Sequence, residues 1–276
     1  MLYLDKLQSA IYQANSLITF LAAAKIPEAK AIFPLNSFFE TREITNKQPQ
    51  GIRGDVSLAI GPNGDIGGSY RFSGHANSYI EFPNDGGLDL KHSITLLCWL
   101  YPENTHDGAL FNYKSRGAWA VHFWIGPNGI IYVHFRNRDY LNTWGSLSTN
   151  QPLATHKWHY IGASYDYITG MASLWVNGVR VVEKNIGAGI TLGTQDNVRV
   201  GVKADDHRYL TARIAAMQFY DVALTAEQIN KVKNLGLGND KCNESLREQP
   251  CVAFIYTCIC SVYSSWSVSF PTNLLF

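Results

Sequence analysis

Ala172-Ser173-Leu174-Trp175-Val176-Asn177-Gly178-Val179-Arg180-Val181-Val182 reads as two β-strands folded back on a two-residue turn. Asn-Gly between alternating apolar residues is the strongest short hairpin signal, because a type I′ turn needs positive φ at both central positions. Closing the chain on Asn177-Gly178 pairs Val176 with Val179 and Leu174 with Val181, which makes one apolar inner face. Trp175 then sits opposite Arg180 on the other face, where the pair dresses the surface. A cation over an exposed indole contributes only about 0.5–1 kcal/mol.

The same pattern extends outward in both directions. Runs of β-branched and aromatic residues recur from about residue 30 to 238, broken by Gly, Pro, Asn and Asp. Gly61-Pro62-Asn63-Gly64 and Gly126-Pro127-Asn128-Gly129 are turns by composition. The one helical signal comes last: Thr225-Ala226-Glu227-Gln228 is a capping box, Ile229 and Val232 share a face, and Gly236 ends the element. The expected fold is all-β: two antiparallel sheets of about five to seven strands each over residues 30–222, packed face to face, with one short helix over 225–235.

The 276 residues are 46% hydrophobic, 13% aromatic and only 16% charged, with a formal charge of +1. No basic block or stripe is present, so nucleic acid is excluded as a partner. Residues 1–29 contain Leu17–Ala24, an apolar stretch ending in an A-x-A pattern. This is either a signal peptide cleaved after Ala24 or a helical lead-in. Residues 239–276 depart from the domain pattern. They hold Cys242, Cys251, Cys258 and Cys260 and the sequon Asn243-Glu244-Ser245, with no charged side chain after Cys251. A membrane anchor, a disulfide-bearing extension and non-native coding sequence all remain open, the last being favoured. A membrane partner is expected only if that tail is an anchor.

Metal and ligand candidates follow from face assignments. A hairpin centred between Pro127 and Asn128 pairs residues of opposite parity, so the even-numbered His122 and His134 face opposite sides and share no ion. Trp124 shares the face of His122. Beyond that hairpin, Tyr140 and Trp144 follow the polar segment Arg136-Asn137-Arg138-Asp139. Aromatic platforms beside such groups suit the apolar C–H faces and hydroxyls of sugars. Tyr140, Trp144, Arg138 and Asn137 are the candidate ligand-binding residues.

Five segments in order resemble the laminin-G-like and pentraxin-like branch of the concanavalin A-like lectin/glucanase jelly rolls. They are Tyr70–Gly74 leading into Tyr79–Pro83, then Ser93–Pro102, Trp158–Asp166, Ala172–Gly178, and Arg213–Asp221 continuing to Ile229. The resemblance implies an extracellular module that binds a glycan or a matrix protein in cell adhesion. A spacer without a ligand and a glycoside hydrolase on the same fold are the alternatives. It also implies that Trp99 and Trp158 anchor the core. The pentraxin disulfide would join Cys98 to the position of Gly162, so Cys98 is expected to be a buried thiol. Calcium in pentraxins uses acids where this chain has Gly201-Val202-Lys203-Ala204-Asp205-Asp206, and Ala215 stands where an aspartate is often found. Asp205 and Asp206 are the candidate metal ligands, with Asp107 in another rim loop. Because Lys203 opposes a cation and calcium wants about six to eight oxygens, no cofactor is expected. Hydrolysis needs a carboxylate pair, and no strand carries the family's Glu-x-Asp-x-x-Glu pattern, so no enzyme activity is expected.

Overall fold

The computed structural model describes residues 26–114, 120–139, 144–203 and 207–238, with the backbone alone at Trp144. Fifteen strands run in chain order as β1 (Ala31–Phe33), β2 (Ile52–Arg53), β3 (Val56–Ala59), β4 (Ser69–Ser73), β5 (Ile80–Phe82), β6 (Ile94–Pro102), β7 (Gly108–Tyr113) and β8 (His122–Ile125). There follow β9 (Ile131–Arg136), β10 (Trp144–Ser148), β11 (His159–Tyr165), β12 (Met171–Val176), β13 (Val179–Asn185), β14 (Val198–Val200) and β15 (Thr211–Tyr220), then one helix, α1 (Ala226–Val232). Among the described residues all strand pairs are antiparallel, and the two sheets form a jelly-roll sandwich.

Sheet one runs β13-β12-β11-β6-β15-β4-β3 with β1 added on β15; sheet two runs β10-β9-β8-β7-β14-β5-β2. Sheet one has eight strands, one more than the sequence suggested. The reason is the length of β15, which pairs β4 along Thr211–Ile214 and β1 along Met217–Phe219. Between these halves a bulge at Ala215/Gln218 breaks the register with β6, and Ala216 takes φ +48°. An inserted residue reverses the faces of a strand. Ala212 and Ile214 point into the main core before the bulge, and Met217 and Phe219 do so after it.

β6 is buried on both sides. Leu96, Cys98 and Leu100 join the core between the sheets, while Leu97 joins a second cluster with Tyr160, Trp175, Tyr220, Leu224, Ile229 and Val232. That second cluster seats α1 on the outer face of sheet one. The capping box starts the helix as read from sequence, with Thr225 accepting from Gln228 N and the Gln228 side chain accepting from Thr225 N.

Several face assignments change. Asn177 and Gly178 do take φ +53° and +81°. However, a bulge at Leu174/Trp175 makes Leu174 pair with Val182, not Val181, and leaves Val179 and Val181 exposed. Trp175 is buried beneath α1 and donates its indole N–H to Ser164 Oγ at 2.9 Å, with Arg180 5.9 Å from its ring. It is therefore core, not surface dressing. Trp99 and Trp158 lie outside the main core. Trp99 is half-buried at the helix end, where it donates to the Lys233 carbonyl, and Trp158 packs on Tyr101. Cys98 is a buried free thiol, pushed up by burial and thus far from a reactive thiolate. It faces Ile161 across the sheet, whereas Gly162 lies opposite Leu97.

The correction that matters for function is at β8–β9. Ile125 pairs with Ile131, so the connection spans Gly126 to Ile130 and contains a 3-10 turn at Pro127–Gly129. Asn128 and Gly129 take φ +63° and +79°. The extra residue moves the hairpin axis onto Asn128 itself. His122 then pairs with His134 and Trp124 with Tyr132, all on one face.

Candidate functional site

α1 packs on the outer face of sheet one, whereas on the outer face of sheet two Asn112 and His122 are buried and Arg199, His134 and Ser146 are half-buried. One row of paired residues crosses all strands of sheet two: Ile52, Glu81, Arg199, Asn112, His122, His134 and Ser146. Their neighbours in sequence, among them Ile80, Phe111, Phe123, Val133, Phe135 and Leu147, fill the core. The row is thus the outward half of a period-two pattern.

At its centre the rings are close. His122 stacks on Trp124 at 4.6 Å between centroids, and Trp124 stacks on Tyr132 at 5.1 Å and 14°. His134 meets His122 and Trp124 edge-on at 4.7 and 4.9 Å. Gly126 permits the Trp124–Tyr132 stack, because a Cβ there would lie 2.5 Å from the Tyr132 ring. After β14 the chain turns back over β7: Gly201 N donates to Ala109 O at 2.9 Å, and Val202 bridges to Tyr209. This brings Lys203 and Arg208 to the His122–Trp124 end of the row, with the Arg208 guanidinium 5.8 Å from the Trp124 ring.

The electrostatics separate the row into two parts. Burial alone would raise the Glu81 pKa, but bonds from Lys114, Asn197 and Arg199 outweigh it and hold the carboxyl below its ordinary value. Around the imidazoles the balance is the reverse. Burial first, then nearby cations, brings His122 down to about 3 and His134 to about 4. Both rings are therefore neutral at physiological pH.

Two spaces adjoin these residues. The cavity between Asn112, His122, Trp124 and Arg208 measures about 10 Å³, room for at most one water. A cleft of about 370 Å³ opens beyond Arg208, lined by Thr105, His106, Asp107, His207, Tyr209 and Thr211. Only the second has the volume of a small-molecule site. Arg208 borders both.

Of the residues singled out from sequence, Asn137, Arg138 and Asp107 are among those described in full. Arg138 grips Asp89 with two bonds of 2.7 and 2.6 Å and reaches the Leu192 carbonyl, so it ties the end of β9 to two distant segments. Asn137 bridges to Leu192 and caps the turn by accepting from Asp139 N. Tyr140, Asp205 and Asp206 lie outside the described residues, as does the Trp144 side chain; the Trp144 backbone pairs with Arg136. Asp107 lines the cleft. Sequence reasoning missed His134, Tyr132 and Arg208 as neighbours of Trp124. The available signal was Asn128-Gly129, two residues that tolerate positive φ and hence allow the longer turn.

Comparison with known proteins agrees with this architecture. Residues 72–230, more than half of the chain, match the laminin-G-type profile of the concanavalin A-like lectin/glucanases superfamily. The chain belongs to that superfamily. C-reactive protein from Mesocricetus auratus is 27% identical over 172 residues, 57% of this chain and 71% of that protein. C-reactive protein from Sus scrofa is 22% identical over 186 residues, 64% of this chain and 80% of that protein. Among solved structures of the superfamily's fold, the botulinum neurotoxin serotype G binding domain superposes with a TM-score of 0.59 at 12% identity, covering 75% of this chain and 50% of that one. The serotype D ligand binding domain, solved with N-acetylneuraminic acid, gives 0.60 at 14% identity over the same shares. The chain thus spans half the length of those two structures, and the likeness shows the fold. Among the described residues, no helix is long and apolar enough to cross a membrane.

Proposed function

We propose that this lectin-type domain is an extracellular carbohydrate-binding module with an adhesive rather than a catalytic role. The glycan lies along the outer face of sheet two, with one sugar on the Trp124–Tyr132 stack and its neighbour in the cleft beyond Arg208. The observation that carries this reading is the pair of near-parallel stacked rings (14°) turned away from the core beside a cleft of about 370 Å³. Flat aromatic surface matches the C–H face of a pyranose, and the Thr105 and Thr211 side chains with His106, His207 and Asp107 offer donors and acceptors for hydroxyls. The C-reactive protein relatives and the sialic-acid-bound neighbour support binding as the class of function.

Two features favour binding over hydrolysis. The row across sheet two has one carboxylate, Glu81, and three hydrogen-bonding partners hold it ionised. A glycosidase needs a second carboxyl poised as an acid. Calcium is not needed on this reading. Lys203 precedes the candidate ligands Asp205 and Asp206 in the chain, and its ammonium opposes a cation in their shell.

A glycan array probed with the full chain tests the proposal. Binding is expected, and Trp124→Ala should weaken the best ligand by about 2 kcal/mol, as for a central aromatic anchor. A chain that retains no glycan, or a folded Trp124→Ala variant that binds unchanged, removes this face as the site.

A further inference from the structure

The centre of the row has a chemistry that a neutral sugar does not use. His122 Nδ1 lies 3.0 Å from the Ala120 carbonyl, an acceptor only, so Nδ1 carries the proton and Nε2 the lone pair. His134 faces it at 4.7 Å between ring centroids. Among the described residues, the charged groups nearest the pair are cations. Arg136 follows His134 on β9, and Lys203 and Arg208 come from the chain after β14. Lys114 and Arg199, farther along the row, are joined to Glu81. The residues facing the pair from β7 and β10 are the uncharged Asn112 and Ser146, and Tyr132 and Trp124 complete the surround. Among the described residues, the charges that act on both imidazoles are those of Arg136 and Arg208, each positive. The buried Nε of Arg136 finds no acceptor. The Arg136 guanidinium is half-buried and makes no ion pair among the described residues; beside an imidazole pair able to become a second cation, it fits an oxyanion.

We propose that His122, His134 and Arg136 form a proton-coupled site for the carboxylate or sulfate of an acidic sugar, so that this face selects charged glycans and holds them more tightly as the pH falls. The inference rests on the glycan-binding reading above and names its ligand class. With the face empty, burial and the two arginines keep both rings neutral. An anion beside them offsets the field of Arg136 and Arg208, so binding draws a proton from solvent onto the pair. Two imidazolium rings in contact would repel, which limits the uptake to one proton. The pKa is higher with ligand than without. Affinity therefore rises as pH falls between the two values, by up to about tenfold per pH unit, and is flat above the ligand-bound pKa.

The test uses the full chain on an array carrying neutral glycans together with sialylated, glucuronate-bearing and sulfated ones, near neutral pH and at about pH 5. Retention of the acidic glycans alone, stronger at the lower pH, is the expected result; preference for carboxylate or for sulfate tells which anion is read. Calorimetry of the best acidic glycan in buffers of different ionisation heat should register uptake of up to about one proton. His134→Gln should flatten the pH profile, and Arg136→Gln should weaken acidic glycans about tenfold while sparing any neutral ones. Imidazole NMR on the unmodified chain gives a reading that does not depend on variants: the pKa of His134 must rise when the acidic glycan is added. Equal binding of neutral and acidic glycans, or an unmoved His134 pKa, overturns the inference and leaves the glycan reading intact. No glycan retained at either pH overturns both.

Discussion

Gln218 joins the helix to the sandwich, and its replacement has a magnitude that can be worked out from its bonds. The side chain is fully buried on β15, facing α1 because of the bulge before it. Its amide nitrogen donates to the carbonyls of Val232 and Leu235 at 3.0 and 2.9 Å, at the end of α1 and just beyond. Its amide oxygen accepts from the hydroxyls of Tyr160 and Tyr220 at 3.1 and 3.2 Å. Gln218→Leu keeps the approximate volume and strands all four partners. A buried polar group left without a partner costs about 1–3 kcal/mol. The Leu235 carbonyl is partly open to water, so the net loss is about 3–6 kcal/mol, a large share of the roughly 5–15 kcal/mol of a typical domain. For a domain of this size each kcal/mol shifts Tm by about 2–4 °C, so the melting point should fall by about 6–24 °C. The assay is differential scanning calorimetry of the full chain beside the variant. Gln218→Glu should fall as well, since a carboxylate satisfies the two tyrosines but repels both carbonyls. A Gln218→Leu Tm within about 2 °C of the parent would show that the amide does not clamp the helix.

Acidification should destabilise the ligand-free protein from about pH 6.5 downward, because the unfolded chain takes up protons that the buried histidines refuse. The sign follows from the lowered pKa of about 3 at His122: stability is complete above the unfolded value and declines toward the folded one. His122→Gln should reduce the slope of chemical-denaturation free energy between about pH 6.5 and 5 by about 1 kcal/mol per pH unit, and an unchanged slope counts against a neutral buried ring. Millimolar calcium should leave the melting point where it is. A ligand at a hundred times its Kd adds about 2.7 kcal/mol, so a clear rise lost on Asp205→Ala with Asp206→Ala would establish a calcium site instead. Arg138→Leu should cost about 1–3 kcal/mol in urea unfolding, because among the described residues the Asp89 carboxylate then keeps only the Thr194 hydroxyl as a hydrogen-bond donor. If Arg138→Leu instead abolishes glycan binding at unchanged stability, Arg138 belongs to the binding surface and not to the frame.

Local chemistry was legible wherever neighbours in sequence carry it. Asn177-Gly178 turns because both residues tolerate positive φ, and Thr225 caps α1 because Gln228 is three residues on. The two-sided burial of β6 is equally plain in Leu96-Leu97-Cys98-Trp99-Leu100, an unbroken apolar run that one open face would not need. These signals, with the ordered segments shared with the lectin superfamily, led to the right architecture. They did not bring His122, Trp124, Tyr132 and His134 together, since each face assignment depends on an unbroken count of two. One extra residue at Val181, at Ala216 or in the Gly126–Ile130 turn reverses every side chain that follows on that strand.

The amino-acid sequence by itself determined that the chain forms antiparallel strands, where two of its turns and its helix fall, and that Cys98 has no disulfide partner at Gly162. Only the tertiary structure decided which tryptophans are core and which are surface. Trp175 looks solvent-facing until α1, about fifty residues later in the chain, settles over it. The row from Ile52 to Ser146 was likewise invisible, because its members come from seven strands whose order in space is not their order in the chain. Pairing across a sheet is fixed by hydrogen bonds between distant segments, and bulges set its register one residue at a time. A turn signal marks where a hairpin closes but not how many residues close it, and at Asn128 that single residue places His122 beside His134.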